Sequence, residues 1–188
     1  MKGAEDLRPV CVRKEYAVVK ARKAVQKMGI CGPPILAEEL AKTLKINFDY
    51  HMGAINYPFA FQTGGQYYIA LNVTSNQGRN NWSGIHEIAH IDLDHFRVYD
   101  IGTLDKPVLT CKERQILDKE ADIYAREVLM PRKWVLEAVE MPLTACQVGD
   151  LKDLFMVSWR AMILRLEELE IAKRNEITKL FKEARSSA

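Results

Sequence analysis

His86 and His90 stand four residues apart with Glu87 between them, in the segment His86-Glu87-Ile88-Ala89-His90. On an α-helix that spacing puts both imidazoles on one face, one turn apart. Two imidazoles so placed can hold one Zn²⁺ at ~2.0–2.1 Å each. Glu87 lies about 100° further round the helix. It is therefore beside the ion rather than on it, and can take a proton from a water that the metal polarises. The chain has four histidines, and three of them, His86, His90 and His95, fall within ten residues. Chance on an amphipathic helix is a poor account of that cluster.

A zinc site that does chemistry needs a third protein ligand and an open position. A third histidine six residues after His90 is excluded, because position 96 is Phe96. His95 falls one residue short of it and reads as a solvated histidine at the negative end of a helix. The cysteines have no suitable spacing. A carboxylate on a following helix remains, and Asp118, Glu120 and Asp122 are the candidates. Asp118 and Glu120 are two residues apart, a helical rotation of about 200°, so one ion cannot take both. Two histidines and a carboxylate also describe iron oxygenases, but Glu87 has no role in that chemistry.

The elements that must carry these residues can be read from periodicity and turn chemistry. Val18, Ala21, Val25 and Met28 step by helical intervals, predicting a helix over about 12–28 that Gly29, Gly32, Pro33 and Pro34 end. Pro34 can open a second helix, with Leu36, Leu40 and Leu44 along it. Ile46, Phe48 and Tyr50 alternate as in a strand, and PFAFQT and QYYIALN flank Gly64-Gly65 as a hairpin. Ser83 is the expected N-cap of a metal-bearing helix over about 84–96. Thr110 and Glu113 have capping-box spacing, so a helix should start at Cys111 and stop at Pro131. Shorter helices are expected over about 132–140, 147–155 and 159–172, with a polar, frayed end from Ala172. The expected fold is α+β: a small antiparallel or mixed sheet, the metal-bearing helices, then a C-terminal helical segment. Residues 1–140 form the expected catalytic domain, and 141–188 a helical segment packed on it.

Composition limits the partners. The 188 residues carry 27 basic and 25 acidic groups, net +2, which gives no argument for nucleic acid or an anionic membrane. The longest uncharged stretch, Tyr50 to Gly78, is broken by Asn56, Pro58, Gln62, Gly64 and Asn72 and is no membrane span. The N-terminal segment MKGAEDLRPV has no apolar core, so no secretory signal and a cytoplasmic location are expected. Cys11, Cys31, Cys111 and Cys146 are scattered, as reduced thiols would be. Residues 150–169 resemble a helix-turn-helix with Arg160 and Arg165 on its second helix. Their apolar residues are what a packed helical hairpin needs, and two arginines make a poor phosphate footprint.

HEIAHIDLDH, followed about twenty residues later by DKEADIYAREVLMP, resembles the ImmA/IrrE family of metallopeptidases. That family shows H-E-x-x-H and then a helix of form E-x-x-A-[N/D/S]-x-F-A-x-x-L-L-M-P. The chain matches at Ala121, Asp122, Tyr124 (aromatic in place of Phe), Ala125, Leu129, Met130 and Pro131. The order of earlier elements and the segment DLFMVSWRAMILRLEEL are similar too, so the likeness spans about 25–170. The resemblance implies a zinc endopeptidase in which His86, His90 and Asp118 hold Zn²⁺, and Glu87 is the catalytic base. The family's third ligand is usually Glu, whereas position 118 is Asp, and Glu120 is the nearby alternative. Asp122, one turn from Asp118, is expected to orient a ligand histidine. His95 and Tyr99 are the candidates to stabilise the oxyanion. The implied substrate is a protein, typically a helix-turn-helix repressor of a mobile element or stress regulon. Two other readings stay open: a metal-binding regulatory module without peptidase activity, and a DNA-binding protein using the C-terminal helices.

Overall fold

The computed structural model describes residues 8–51, 57–72, 77–99, 102 and 109–186. Its elements, in chain order, are α1 (Lys14–Met28), α2 (Ala37–Leu44), β1 (Asn47–His51), β2 (Phe59–Thr63) and β3 (Gln66–Asn72). Then follow α3 (Gln77–Asp92), α4 (His95–Tyr99), α5 (Cys111–Leu129), α6 (Arg132–Ala138), α7 (Ala145–Leu154), α8 (Trp159–Glu168) and α9 (Arg174–Ser186). The fold is α+β, with a small mixed sheet early and helices before and after it.

The sheet has order β1-β3-β2. β2 and β3 are the expected hairpin, antiparallel, with Thr63 opposite Gln66. Gly64 and Gly65 both have positive φ, +56° and +75°. A two-residue turn of that twist joins strands without splaying them, and glycine adopts it without a Cβ clash. β1 lies parallel to β3 on its other side, with Asn47 opposite Tyr68. Among the described strands, β2 is therefore an edge.

α1 and α5 pack together. The buried face of α1 is Ala17, Ala21 and Ala24; of the predicted stripe Ala21 is fully buried, and Val25 and Met28 are partly buried at its edge. Alanines let the backbones approach closely, so small residues mark this contact better than large ones. α5 begins where expected, with the Thr110–Glu113 capping box complete and satisfying two orphan amide donors. It ends at Leu129, before Pro131.

α2 begins at Ala37, three residues beyond Pro34, and Leu36 supplies no side-chain cap. Asn81 of α3 does that work from outside. Its Oδ1 accepts from the Ala37 amide at 2.7 Å, and its Nδ2 donates to the Ile35 carbonyl at 2.7 Å. Asn81 is buried, and pairing all of these groups removes the penalty of burying an amide.

α3 starts at Gln77, six residues before Ser83, which is not its N-cap. Gly84 is interior to the helix, with a packing reason for being glycine. A Cβ at Gly84 would stand 2.6 Å from the Ala37 Cβ and 3.0 Å from the Phe48 ring. α3 also ends earlier than predicted, at Asp92, and His95–Tyr99 form a separate short helix. Lys20 of α1 donates to the Asp92 carbonyl at 2.7 Å, and the Tyr124 hydroxyl donates to its carboxylate at 3.0 Å. Both flanking helices thus fix the end of α3.

The C-terminal helices join the same buried core, through Val148, Leu151, Phe155, Met162 and Leu166. The expected frayed tail is instead α9, whose Ile177 is fully buried. Arg165 is buried rather than displayed. Its Nη2 donates to Glu127 at 2.6 Å, Nη1 to Glu168 at 2.9 Å and Nε to the Met130 carbonyl at 2.9 Å. All four cysteines are free and exposed. Among the described residues, no helix is long and apolar enough to cross a membrane.

Candidate metal centre

The buried face of α3 carries Ile85, Ile88 and Ala89, which seat the helix against the core. The adjoining face presents His86 and His90 to α5. Their Nε2 atoms are 3.2 Å apart. Two nitrogens ~2.0–2.1 Å from one ion at a tetrahedral angle stand ~3.3–3.4 Å apart, so the pair is spaced for a shared ion. Asp118 approaches from α5, its Oδ1 3.8 Å from His90 Nε2. One ligand atom from each of His86, His90 and Asp118 lies within 4.8 Å of the others. The donor set, two imidazoles and a carboxylate, can hold a divalent metal ion.

These three line a cavity of about 200 Å³ together with Glu87, Arg114 and Leu117. Pro58, Phe59 and Ala60 close one side, so edge strand β2 runs along the cavity. His90 is almost wholly enclosed and Asp118 is 64% exposed, which leaves the site open on the side of the carboxylate.

Each histidine is held from its far side. Asp122 Oδ1 is 3.1 Å from His86 Nδ1, as expected of a carboxylate that orients a ligand ring. Burial alone would lower the His86 pKa, but its hydrogen bond to Asp122 and the carboxylates of Glu87, Asp122 and Asp118 raise it. His90 Nδ1 meets His95 Nδ1 at 2.8 Å. Burial, then the neighbouring His86 and His95, push His90 well below its ordinary value, which keeps it neutral and able to ligate. Desolvation against the cavity wall and the nearby Asp122 charge raise Asp118, although the histidines and Arg114 oppose this.

His95 is not a solvated helix-end residue. It is fully buried, with Nε2 3.0 Å from Glu120 Oε2. Arg13 completes the cluster by donating to Glu120 three times: backbone N at 2.7 Å, Nε at 2.9 Å and Nη2 at 2.7 Å. Burial would raise the Glu120 carboxyl, but the hydrogen bonds from His95 and Arg13 prevail and hold it at about 2. Glu120 is thus committed to Arg13 and His95 on the far side of α5, and Asp118 faces the histidines. Of the two carboxylates, Asp118 is the one grouped with His86 and His90.

Neither oxyanion candidate lines the cavity. His95 is behind His90, and Tyr99 is buried beneath Arg8, whose guanidinium carbon is 5.0 Å from the ring centroid. Among the described residues, the cation that lines it is Arg114, which sequence reasoning did not single out. Its signal is present: Arg114 precedes Asp118 by four residues and so shares its helix face. Arg13 left no such signal, being 107 residues from its partner. Compared with models of known families and with curated proteins, the chain matches none.

Proposed function

We propose that this chain is a zinc endopeptidase of the ImmA/IrrE kind, hydrolysing a peptide bond in a protein substrate. The observation that carries the reading is that Glu87, between two ligand histidines on one helical turn, lines the same cavity as His86, His90 and Asp118. At that helical position a carboxylate stands beside the ligand pair rather than in line with it, which supports proton transfer as its role.

His86, His90 and Asp118 would hold the ion, which when bound supplies Lewis acidity toward water and the scissile carbonyl. Glu87 takes a proton from the attacking water as its oxygen bonds to the carbonyl carbon. It returns a proton to the departing nitrogen as the C–N bond breaks. Arg114 offers positive charge on the wall where the carbonyl oxygen gathers negative charge. Asp122 and His95 keep the two ligand rings oriented.

The edge strand supports a peptide as the ligand. Gln62 donates its amide away from β3, to the Gly102 carbonyl at 2.8 Å. By the two-residue alternation of a strand, the backbone of Ala60 also faces outward, beside the cavity. An extended chain can pair there. A helix-turn-helix repressor in the cytoplasm is the proposed substrate, on the family resemblance alone. Arg165 being enclosed by Glu127 and Glu168 disfavours DNA reading by α7 and α8.

The test is incubation of purified protein, with and without added Zn²⁺, with a repressor encoded beside it, followed by mass spectrometry of the fragments. Zinc-dependent cleavage that Glu87→Gln abolishes is the expected result. Stoichiometric zinc without cleavage of that repressor or of unfolded proteins would favour the regulatory module instead.

A further inference from the structure

The geometry points to His95 as a positioning residue that, held by Glu120 and Arg13, selects the ring tautomer of His90 that can bind a metal. The inference rests on reading His86, His90 and Asp118 as metal ligands, and it concerns a hydrogen-bonded chain that runs away from the cavity.

The direction of each hydrogen bond follows from its outer end. The two Glu120 oxygens take three N–H bonds from Arg13, so this carboxylate accepts. It has no proton to give to His95. The 3.0 Å contact between His95 Nε2 and Glu120 Oε2 must therefore be donated by the ring. A neutral imidazole that carries its proton on Nε2 has a lone pair on Nδ1. His95 Nδ1 is 2.8 Å from His90 Nδ1, and two lone pairs do not share that distance. His90 thus carries its proton on Nδ1 and its lone pair on Nε2. That Nε2 is the atom facing His86 Nε2 and Asp118.

The chain reaches from the metal helix through α4 and α5 to the start of α1. Ligand histidines are ordinarily fixed by a carboxylate, a backbone carbonyl or water. Here a second histidine is inserted between ligand and carboxylate. It spans the gap that separates His90 from Glu120, whose side chain is fully buried with His95. No rotation of His95 serves as well. With the ring turned over, Cδ2 would stand where Nδ1 meets His90 and Cε1 where Nε2 meets Glu120, so both contacts would lose their nitrogen.

Two measurements test this. The first uses ¹⁵N-labelled, metal-free protein at mildly alkaline pH, with ring nitrogens read by long-range proton–nitrogen correlation. His95 should be the Nε2–H tautomer and His90 the Nδ1–H tautomer. The second is Zn²⁺ affinity by chelator competition for wild type, His95→Leu and His95→Asn. His95→Leu removes the acceptor and should weaken binding roughly 10- to 100-fold, the usual cost of losing a ligand's outer partner. His95→Asn keeps an oxygen where Nδ1 stands and should restore most of that loss together with the His90 tautomer. A His90 ring protonated on Nε2 in the wild type would overturn the inference. So would His95→Leu binding as wild type does, or His95→Asn binding no better than His95→Leu. If His95→Leu does not fold, the wild-type tautomers and His95→Asn decide. A wild-type protein that binds no metal would defeat the metal-centre reading, whereas the tautomers of the metal-free rings would still judge the chain.

Discussion

Asp122 Oδ1 stands 3.1 Å from His86 Nδ1, on the side of the ring turned away from His90. The carboxylate accepts the Nδ1 proton and leaves the Nε2 lone pair toward the shared site. Asp122→Asn can present either an oxygen or an NH₂ to that nitrogen, so it weakens the preference without a change of size. Zn²⁺ affinity is expected to fall about 10-fold. Chelator competition on the folded variant checks this, and unchanged affinity would remove Asp122 from the site.

Glu87→Gln should keep its metal and lose hydrolysis. Proton transfer typically contributes 10²–10⁴-fold, and a glutamine cannot take the proton. Metal content by elemental analysis and cleavage rate, measured on one preparation, separate the roles. Loss of the metal would make Glu87 a ligand.

Asp118→Ala and Glu120→Ala should fail in different ways. Asp118 is largely exposed, so its loss should cost the metal and little stability. Glu120 is enclosed with His95 and bound by Arg13, and its loss leaves both without an acceptor. A destabilisation of ~2–3 kcal/mol is expected in urea unfolding. Equal stability of the two variants would contradict this assignment.

Helical spacing made the site's inner half legible and left its outer half hidden. His86, Glu87 and His90 declare themselves because one turn of helix sets their relation, and the Thr110–Glu113 box marks where α5 begins for the same local reason. His95 misled because its partners are tertiary: Glu120 lies 25 residues away, and Arg13 is further still. Alone, a histidine in the last turn of a helix expected over about 84–96 looks solvated. Ser83 misled differently. It has the chemistry of an N-cap, but the helix already runs from Gln77, and Asn81 within that earlier part is held by the backbone of Ile35 and Ala37. The tail looked polar enough to fray, yet Ile177 gives α9 an anchor on the core.

Arg165→Ala and Arg160→Ala test how α8 is used. Arg165 is enclosed by Glu127, Glu168 and the Met130 carbonyl, so truncation should cost ~3–5 kcal/mol by leaving buried acceptors and charge uncompensated. Arg160 is exposed and should change stability by less than ~0.5 kcal/mol. Thermal and urea unfolding of the pair decide. A tolerant position 165 would return that arginine to the surface.

Acid should weaken the same junction. Burial would raise the Glu168 carboxyl, but Arg165 and Arg126 hold it below its ordinary 4.5. A depressed carboxyl contributes stability that is fully present above 4.5 and is lost as pH falls through its folded value. Wild type should therefore lose stability below that point more steeply than Glu168→Gln does. Parallel unfolding curves from neutral to acid pH check this, and identical slopes would mean that Glu168 does not titrate against those arginines.

The contact at Gly84 reaches the metal from a side that holds no donor atoms. Ala37 and Phe48 press on the backbone of α3 two residues before His86, at a point with no room for a methyl group. Close-packed interiors transmit such displacements instead of absorbing them. A helix pushed outward there would carry His86 and His90 with it, while Asp118 stayed on α5. A side chain at position 84 would thus be felt in the aim of two nitrogens, and a change in the hydrophobic layer behind the helix would detune a bound ion without touching any residue that could hold it.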